Sequence, residues 1–232
     1  MREFDLPTRQ ECFELIRQYH VPSHIVNHSL AVSKLAVFLA ERLKEKGLRV
    51  SVEQVDGACL LHDIARVCDF EEPDYSRFNE TVSEEDKAKW NQIRQTYQDL
   101  SHEDAAYDIL KEKYPRLALT VKKHRSMAML NKDERPTSWE EKLVYYADMR
   151  VMHDKIVPLK KRLEDGHKRN AFLHGVNPQS KSNMAKVDRL IYRLEKQIFE
   201  KIGLRPAALT DEVIDLYKQN TKDNSNEDND RV

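Results

Sequence analysis

Apolar residues recur along this chain every three to four positions, the spacing that places them on one face of an α-helix. Alternation with a period of two, which would indicate a half-buried strand, is not convincing in any segment. Glycine is rare, with 5 residues among 232, and there are only 8 prolines. We therefore predict an all-α protein with one main domain.

The predicted helices are bounded by residues that commonly cap helix ends. Ser51 and Gln54 have the spacing of a capping box, which opens a helix that leads into His62 and Asp63. The full set of predicted helices covers 8–19, 23–47, 51–63, a segment through Trp90 and Tyr97, 101–110, 115–125, 138–148, 155–165, 182–202 and 210–219.

Three segments lack helical periodicity. Residues 71–87 are strongly acidic and are predicted to form a surface excursion, either a lid or a simple insertion. Residues 166–183 are predicted to be a polar loop, and residues 221–232 have almost no apolar content and are predicted to be disordered.

Composition narrows the classes of function. The 39 basic and 40 acidic residues nearly balance, which argues against a general affinity for nucleic acid or for an anionic membrane. The charged beginning of the chain has no signal-peptide pattern, and no stretch approaches the roughly 20 apolar residues of a membrane span. We expect a cytoplasmic protein without a membrane partner, whose oligomeric state stays open.

Histidine and aspartate residues recur in or beside the apolar helical segments. A folded protein seldom places ionisable groups there unless something holds them, and a shared metal ion is the simplest such holder. Imidazole and carboxylate donors suit Fe, Mn, Zn, Co or Ni. The lack of a nearby cysteine pair argues against a structural zinc site with thiolate ligands. The candidate residues are His28, His62, Asp63, His102, His124 and Asp148.

Three of these sites lie in recognisable strings, VNHSLAVSKLA, LLHDIAR and EKLVYYADMRV. In order and spacing they resemble the HD-domain superfamily of metal-dependent phosphohydrolases, whose pattern is H, then HD, then D on separate helices. The resemblance covers roughly residues 21–155. It implies an HD-domain helical bundle there, preceded by an N-terminal helix in residues 1–20 and followed by C-terminal helices in residues 156–220 that pack on the same domain.

The resemblance also implies a ligand set and a reaction. His28, His62, Asp63 and Asp148 would surround one metal ion, and His102, His124 and a bridging Asp63 would surround a second one. One or two divalent ions are expected, with Fe or Mn preferred and Zn, Co, Ni or Mg as alternatives. A metal-bound hydroxide would then hydrolyse a phosphoester or phosphoanhydride of a nucleotide or another small phosphorylated metabolite.

Within the superfamily, His102 and His124 are similar to the dinuclear branch, which includes HD-GYP phosphodiesterases and HD-type diadenosine tetraphosphate hydrolases. The chain has no GYP motif. It is nearer to the tetraphosphate hydrolases, with which it shares HDxA and a final AD motif. It departs from them at Arg66, where lysine is usual, and at Arg125, where threonine is usual.

Basic residues near these motifs are candidates for substrate binding. On a continuous helix Arg66 would share a face with His62 and Asp63, and its guanidinium could clamp a phosphate. Asp63, as the bridging ligand, and Arg66 are the candidate catalytic residues. Lys122 and Arg125 flank His124, and Lys155 lies seven residues after Asp148, on the same face if the helix continues. These three are candidate substrate-binding residues.

Alternatives to this interpretation remain open. Taken singly, each histidine is better explained by a structural or surface role, for example His102 as a helix-start residue and His124 as part of a basic run. Arg66 can also pair with an acidic neighbour. Among functions, a di-iron oxygenase of the same superfamily and a non-catalytic nucleotide-binding regulator are the alternatives.

Overall fold

The computed structural model describes residues 6–70, 78, 81–174, 178–217 and 219, without the side chains of residues 170 and 172–174. The long helices are α1 Arg9–Gln18, α2 Ser23–Glu45, α3 Val52–Leu61, α4 Glu84–Thr96, α5 His102–Leu110, α6 Pro115–Lys122, α7 Trp139–Asp148, α8 Leu159–His174 and α9 Pro178–Ile202. Residues 211–217 form a further helix, α10. The predicted all-α fold class is confirmed.

Short elements connect these helices. Strands β1, Val151–Met152, and β2, Lys155–Ile156, pair antiparallel between α7 and α8. Single 3₁₀ turns cover Arg66–Asp69, Ser126–Leu130 and Pro206–Ala208.

Polar residues at the helix starts explain most of the boundaries. Ser83 and Ser138 accept hydrogen bonds from backbone N–H groups of the first turn, and an acidic residue three positions later completes a capping box in each case. Ser51 caps α3 in the predicted way, but the predicted capping box is wrong. The Gln54 side chain turns inward and donates to Thr120 Oγ1 at 2.9 Å instead of returning to Ser51.

Helix α2 lies at the centre of the fold and packs against α3 and α7. Its buried face includes Val32, Leu35 and Leu39, which have no exposed surface. Helices α5 and α6 pack on each other, and α6 also packs on α3. Because these elements share one apolar core, the ends of α3, α6 and α7 are held close to the beginning of α2 and α5.

The C-terminal helices belong to the same core. Residues of α9 such as Val187, Ile191 and Ile198 are buried in the apolar cluster that contains the centre of α2, and α9 contacts both α2 and α7. The domain boundaries at residues 21, 156 and 221 stay a prediction.

Two predictions about the C-terminal half were wrong. The helix predicted from residue 155 begins at Leu159, because a short hairpin with His153 at φ 57° first reverses the chain. The polar loop predicted for residues 166–183 is mostly helical, since α8 continues to His174 and α9 begins at Pro178. Its lysine, arginine and glutamine residues are good helix formers even where they bury little apolar surface.

The acidic segment is shorter than predicted, because α4 begins at Glu84 behind its Ser83 cap. Most of the segment, and with it the question of a lid, lies outside the described residues, as does the predicted disordered tail. None of the helices in the described part of the chain combines the length with the apolar character of a membrane span.

Arg150 joins the C-terminal part to the centre of the fold. Its side chain is only 2% exposed. Its Nε donates to the carbonyl of Val157 at 2.7 Å, and Nη1 donates to the Tyr146 hydroxyl at 2.5 Å and to Glu195 Oε2 at 3.3 Å. Since a buried charge without a partner is strongly unfavourable, this ion pair with α9 ties α9 to α7.

Removing Glu195 should therefore destabilise the protein. Glu195→Ala leaves the buried guanidinium without its counter-charge, and we expect the free energy of unfolding to fall by about 3 kcal/mol. Glu200→Ala, on the same helix, removes only an exposed carboxylate 3.6 Å from Lys196 and should change it by no more than about 0.5 kcal/mol. Urea unfolding followed by circular dichroism measures both, and equal effects would contradict this role of Arg150.

Candidate metal centre

The six predicted metal ligands come from different parts of the fold and meet in one place. His28 lies in the second turn of α2, His62 and Asp63 directly follow α3, and Asp148 is the last residue of α7. His102 is the first residue of α5, and His124 follows α6. Five of the six are buried, and the side chain of His28 is 15% exposed.

One group of donors lies between α2, α3 and α7. His28 Nε2 is 3.0 Å from Asp148 Oδ1, and His62 Nε2 is 3.9 Å from the same oxygen. His62 Nε2 is also 3.5 Å from Asp63 Oδ2. One donor atom each from His28, His62 and Asp63 lie within 4.8 Å of one another, close enough to hold a single ion.

A second group lies on the other side of Asp63. Asp63 Oδ1 is 3.2 Å from His102 Nε2 and 3.7 Å from His124 Nε2, and the two imidazole nitrogens are 3.1 Å apart. The donor atoms of these three residues again lie within 4.8 Å of one another. Because Oδ2 faces His62 and Oδ1 faces the second group, Asp63 has the geometry of a bridging carboxylate.

Hydrogen bonds fix the orientation of all four rings. In each of them Nδ1 lies against a carbonyl or carboxylate oxygen and donates to it, which turns Nε2 toward the centre. The acceptors are the carbonyl of His153 for His28 at 2.8 Å, that of Cys59 for His62 at 2.7 Å, that of Val121 for His124 at 2.6 Å, and the carboxylate of Asp69 for His102 at 2.6 Å.

His62 provides the clearest test of whether an ion fits. Its Nε2 is buried, and among the described residues it has no hydrogen-bond partner. Burial lowers the pKa of this imidazole to about 4, so the ring is neutral at pH 7 and Nε2 has a free lone pair. A buried donor atom of this kind needs an explanation, and a metal ion supplies one.

The carboxylates supply negative charge. Burial opposes the ionisation of Asp63, but His62, which is charged at the acid pH where this carboxyl titrates, and the Arg66 guanidinium hold its pKa well below the ordinary value. Burial likewise opposes ionisation of Asp148, and the hydrogen bond from His28 lowers its pKa. Both side chains are therefore ionised at neutral pH and suited to a divalent cation.

His102 is held in a different charge environment. Burial lowers its pKa, but hydrogen bonds with Asp63 and Asp69 outweigh burial and raise the pKa to about 9. A divalent ion that binds His102 at neutral pH must therefore displace a proton from the ring.

Arg66 reaches the centre by a route that differs from the predicted one. The shared helical face considered for His62 and Arg66 required a continuous helix, and this condition is not met, because α3 ends at Leu61 and Arg66 starts a 3₁₀ turn. Its Nη1 nevertheless lies 4.0 Å from Asp63 Oδ1 and 3.0 Å from His102 Nε2, and its side chain is 35% exposed. Arg66 thus stands beside the second donor group and is accessible from solvent.

The other predicted substrate-binding residues have local partners. Lys122 lies 3.1 Å from Asp104, and Arg125 bonds to both Asp104 and Ser101. Lys155 is 71% exposed and lies 3.7 Å from Asp154. The shared helical face predicted for Lys155 was wrong, since α7 ends at Asp148 and Lys155 lies on β2.

Within the described residues, no hydrogen bond or ion pair joins Lys122, Arg125 or Lys155 to the six central residues. Their roles in substrate binding stay a prediction.

Sequence reasoning missed two acidic side chains beside His102. Asp69 closes the 3₁₀ turn that Arg66 begins, and Glu103 is buried with Oε2 3.5 Å from His102 Nδ1. Glu103 is adjacent to His102 in the sequence, which was an available signal. Asp69 is 33 residues away from His102 along the chain, and only the fold brings them together.

The helical bundle and its two buried groups of imidazole and carboxylate donors are typical of all-α proteins that hold a metal ion with nitrogen and oxygen ligands. Residues 25–152, more than half of the chain, match the family model described as HD domain. The chain belongs to this family, whose members are in general metal-dependent phosphohydrolases. No curated protein and no solved structure matches it.

Asp63 is the most informative residue to change in a metal-binding experiment. Since this residue faces both donor groups, Asp63→Asn should lower the metal affinity of both groups, whereas loss of any one histidine should mainly lower that of its own group. Elemental analysis after dialysis against Mn²⁺ or Fe²⁺ measures the ions retained per chain.

His24→Ala is the matched control, because this exposed histidine lies one turn before His28 on α2. The control should retain the wild-type metal content. Wild-type metal content in Asp63→Asn would show that this carboxylate is not a ligand.

Proposed function

We propose that this protein is a metal-dependent phosphohydrolase that cleaves a phosphoester or phosphoanhydride bond in a nucleotide or another small phosphorylated metabolite. The observation that carries the proposal is the pair of donor groups that share Asp63, together with the Nε2 of buried His62, which has no hydrogen-bond partner within the described residues. Four rings whose Nδ1 atoms are already bound to acceptors present four Nε2 atoms to one centre.

The protein's own residues would orient the ions and the substrate. His28, His62, Asp63 and Asp148 would hold one divalent ion, and His102, His124 and Asp63 would hold the other. When bound, such ions lower the pKa of a coordinated water from about 15.7 to near 7 and neutralise charge on phosphoryl oxygens. Two ionised carboxylates, Asp63 and Asp148, would offset part of the positive charge of the ions before the substrate arrives.

Arg66 is the proposed phosphate-binding residue. Its guanidinium lies beside the second donor group and is partly exposed, so it can approach a phosphoryl oxygen from the solvent side. Arginine offers a planar pair of donors that can bind two phosphate oxygens at once, which the lysine usual at this position cannot do.

The donor atoms guide the choice of metal. All six are nitrogen or oxygen, so the site suits Fe, Mn, Zn, Co or Ni more than ions that prefer thiolates. We propose Fe or Mn as the resident ions. Mg is a weaker alternative, because it prefers oxygen ligands and the site offers four imidazole nitrogens.

Within the family we propose the dinuclear branch, and within that branch a chemistry near that of diadenosine tetraphosphate hydrolases. Support comes from the second donor group, with its two imidazoles on the far side of Asp63. The arginines at positions 66 and 125 are the departures that bear on the choice of substrate. A cytoplasmic location and a small phosphorylated substrate stay predictions, and the oligomeric state stays open.

A panel of substrates tests the proposed reaction. Purified protein reconstituted with Mn²⁺ or Fe²⁺ should release phosphate or nucleotide from at least one mononucleotide, dinucleoside polyphosphate or cyclic nucleotide, and a chelator should abolish the release. Oxygen consumption without hydrolysis would instead support a di-iron oxygenase. A nucleotide that raises the melting temperature but is never converted would support a binding protein.

Substitution of Arg66 tests its contact with phosphate. Arg66→Ala removes a charged donor whose hydrogen bond to phosphate contributes about 1.5–3 kcal/mol, so kcat/KM should fall by roughly 10–100-fold. In Arg66→Lys the fall in kcat/KM should be smaller, because the positive charge is kept. Steady-state kinetics with the best substrate of the panel measures the effect.

The matched control is Arg169→Ala, an exposed arginine of α8 that pairs with Asp165 at 2.9 Å. This variant should keep the wild-type kcat/KM. An unchanged kcat/KM in Arg66→Ala would exclude Arg66 from substrate binding.

A further inference from the structure

His102 differs from the other three histidines in the group that accepts the hydrogen bond from its Nδ1. His28, His62 and His124 each donate Nδ1–H to a backbone carbonyl, which carries only a partial negative charge. His102 donates to the carboxylate of Asp69, a full negative charge, at 2.6 Å. A short bond of this kind between an imidazole and a carboxylate is stronger and more directional than a bond to a neutral acceptor.

Asp69 holds the backbone of His102 as well as its ring. Its Oδ1 accepts from the His102 backbone N–H at 3.3 Å while Oδ2 accepts from Nδ1. Because this N–H is in the first turn of α5, where no helical acceptor is available, Asp69 also supports the start of that helix. The ring and the helix are thereby fixed relative to the 3₁₀ turn that follows the HD pair.

The same carboxylate contacts Arg66. Asp69 Oδ2 lies 3.3 Å from Arg66 Nη1, within the turn Arg66–Asp69. The guanidinium lies in turn against His102 and 4.0 Å from Asp63 Oδ1. One acidic side chain therefore sets the positions of a donor to the second ion and of the proposed phosphate-binding arginine.

We propose that Asp69 is a positioning residue for the second ion of the centre. By accepting the Nδ1 proton it keeps Nε2 of His102 directed at Asp63 and His124, and by pairing with Arg66 it places the guanidinium beside them. The inference rests on the two-ion centre proposed above. The proposed role of Asp69 is limited to the second donor group, because within the described residues Asp69 has no hydrogen bond or ion pair to His28, His62 or Asp148.

Glu103 is the competing candidate for this role. Its Oε2 is 3.5 Å from His102 Nδ1, which is too long for a hydrogen bond, and 3.7 Å from Arg125 Nε. Asp69 is nearly 1 Å closer to the same nitrogen. The geometry therefore favours Asp69 as the acceptor.

Metal titration of the full-length protein tests the inference without an activity assay. Metal-free protein is titrated with Mn²⁺ in a calorimeter, and wild type should bind two ions. Loss of a carboxylate that orients a metal-bound histidine lowers metal affinity by about 10–100-fold. We expect Asp69→Ala to weaken one of the two binding events by that factor and to leave the other unchanged.

Two variants separate positioning from a general loss of structure. Asp69→Asn keeps one acceptor oxygen, which can serve the ring Nδ1–H or the backbone N–H of His102 but not both, and it lacks the negative charge. The affinity of its weakened site should therefore fall between those of Asp69→Ala and wild type. Asp108→Ala removes an acidic side chain of α5 that pairs with Lys111, away from His102, and this variant should bind both ions as wild type does. Melting temperatures of the metal-free variants report any effect on folding.

The results can contradict the inference in several ways. Equal weakening of both ions in Asp69→Ala, wild-type binding in that variant, or a wild type that binds one ion or none would each overturn it. A wild type that binds two ions with the expected Asp69 effect, but hydrolyses no phosphorylated compound, would support the inference and overturn the proposed function.

Discussion

The centre of this protein depends on one carboxylate that is buried between two groups of imidazoles. Asp63 Oδ2 faces His62, and Oδ1 faces His102 and His124. An ionised carboxylate in an apolar core is unfavourable unless positive charge surrounds it. The cationic groups around Asp63 provide part of that compensation, and a pair of divalent ions would complete it.

The helical scaffold positions the donors by placing them at helix ends. His62 and Asp63 follow α3, Asp148 closes α7, and His102 opens α5. Backbone carbonyls near helix ends have acceptor capacity that the helix itself does not use, so they can accept from Nδ1 of His62 and His124, three residues further on. The ends of the helices thus supply both the candidate ligands and the groups that orient them.

Much of this arrangement was predictable from the sequence, and the misses have physical causes. The all-α class follows from apolar periodicity, and the six-residue cluster follows from the placement of ionisable residues in apolar segments. Spacing failed where the chain leaves the regular helix. After α3 a 3₁₀ turn carries Arg66 and Asp69 to His102, and after α7 a hairpin takes Lys155 off the predicted face. A contact between residues 33 positions apart, as for Asp69 and His102, is fixed only by packing.

The central claim is that two divalent ions bind on opposite sides of Asp63, and anomalous X-ray scattering tests it most directly. Crystals grown with Mn²⁺ should show two anomalous peaks about 4 Å apart, with Asp63 between them. One peak should lie among His28, His62 and Asp148, and the other between His102 and His124. A single peak, or peaks that do not contact Asp63, would contradict the two-ion centre.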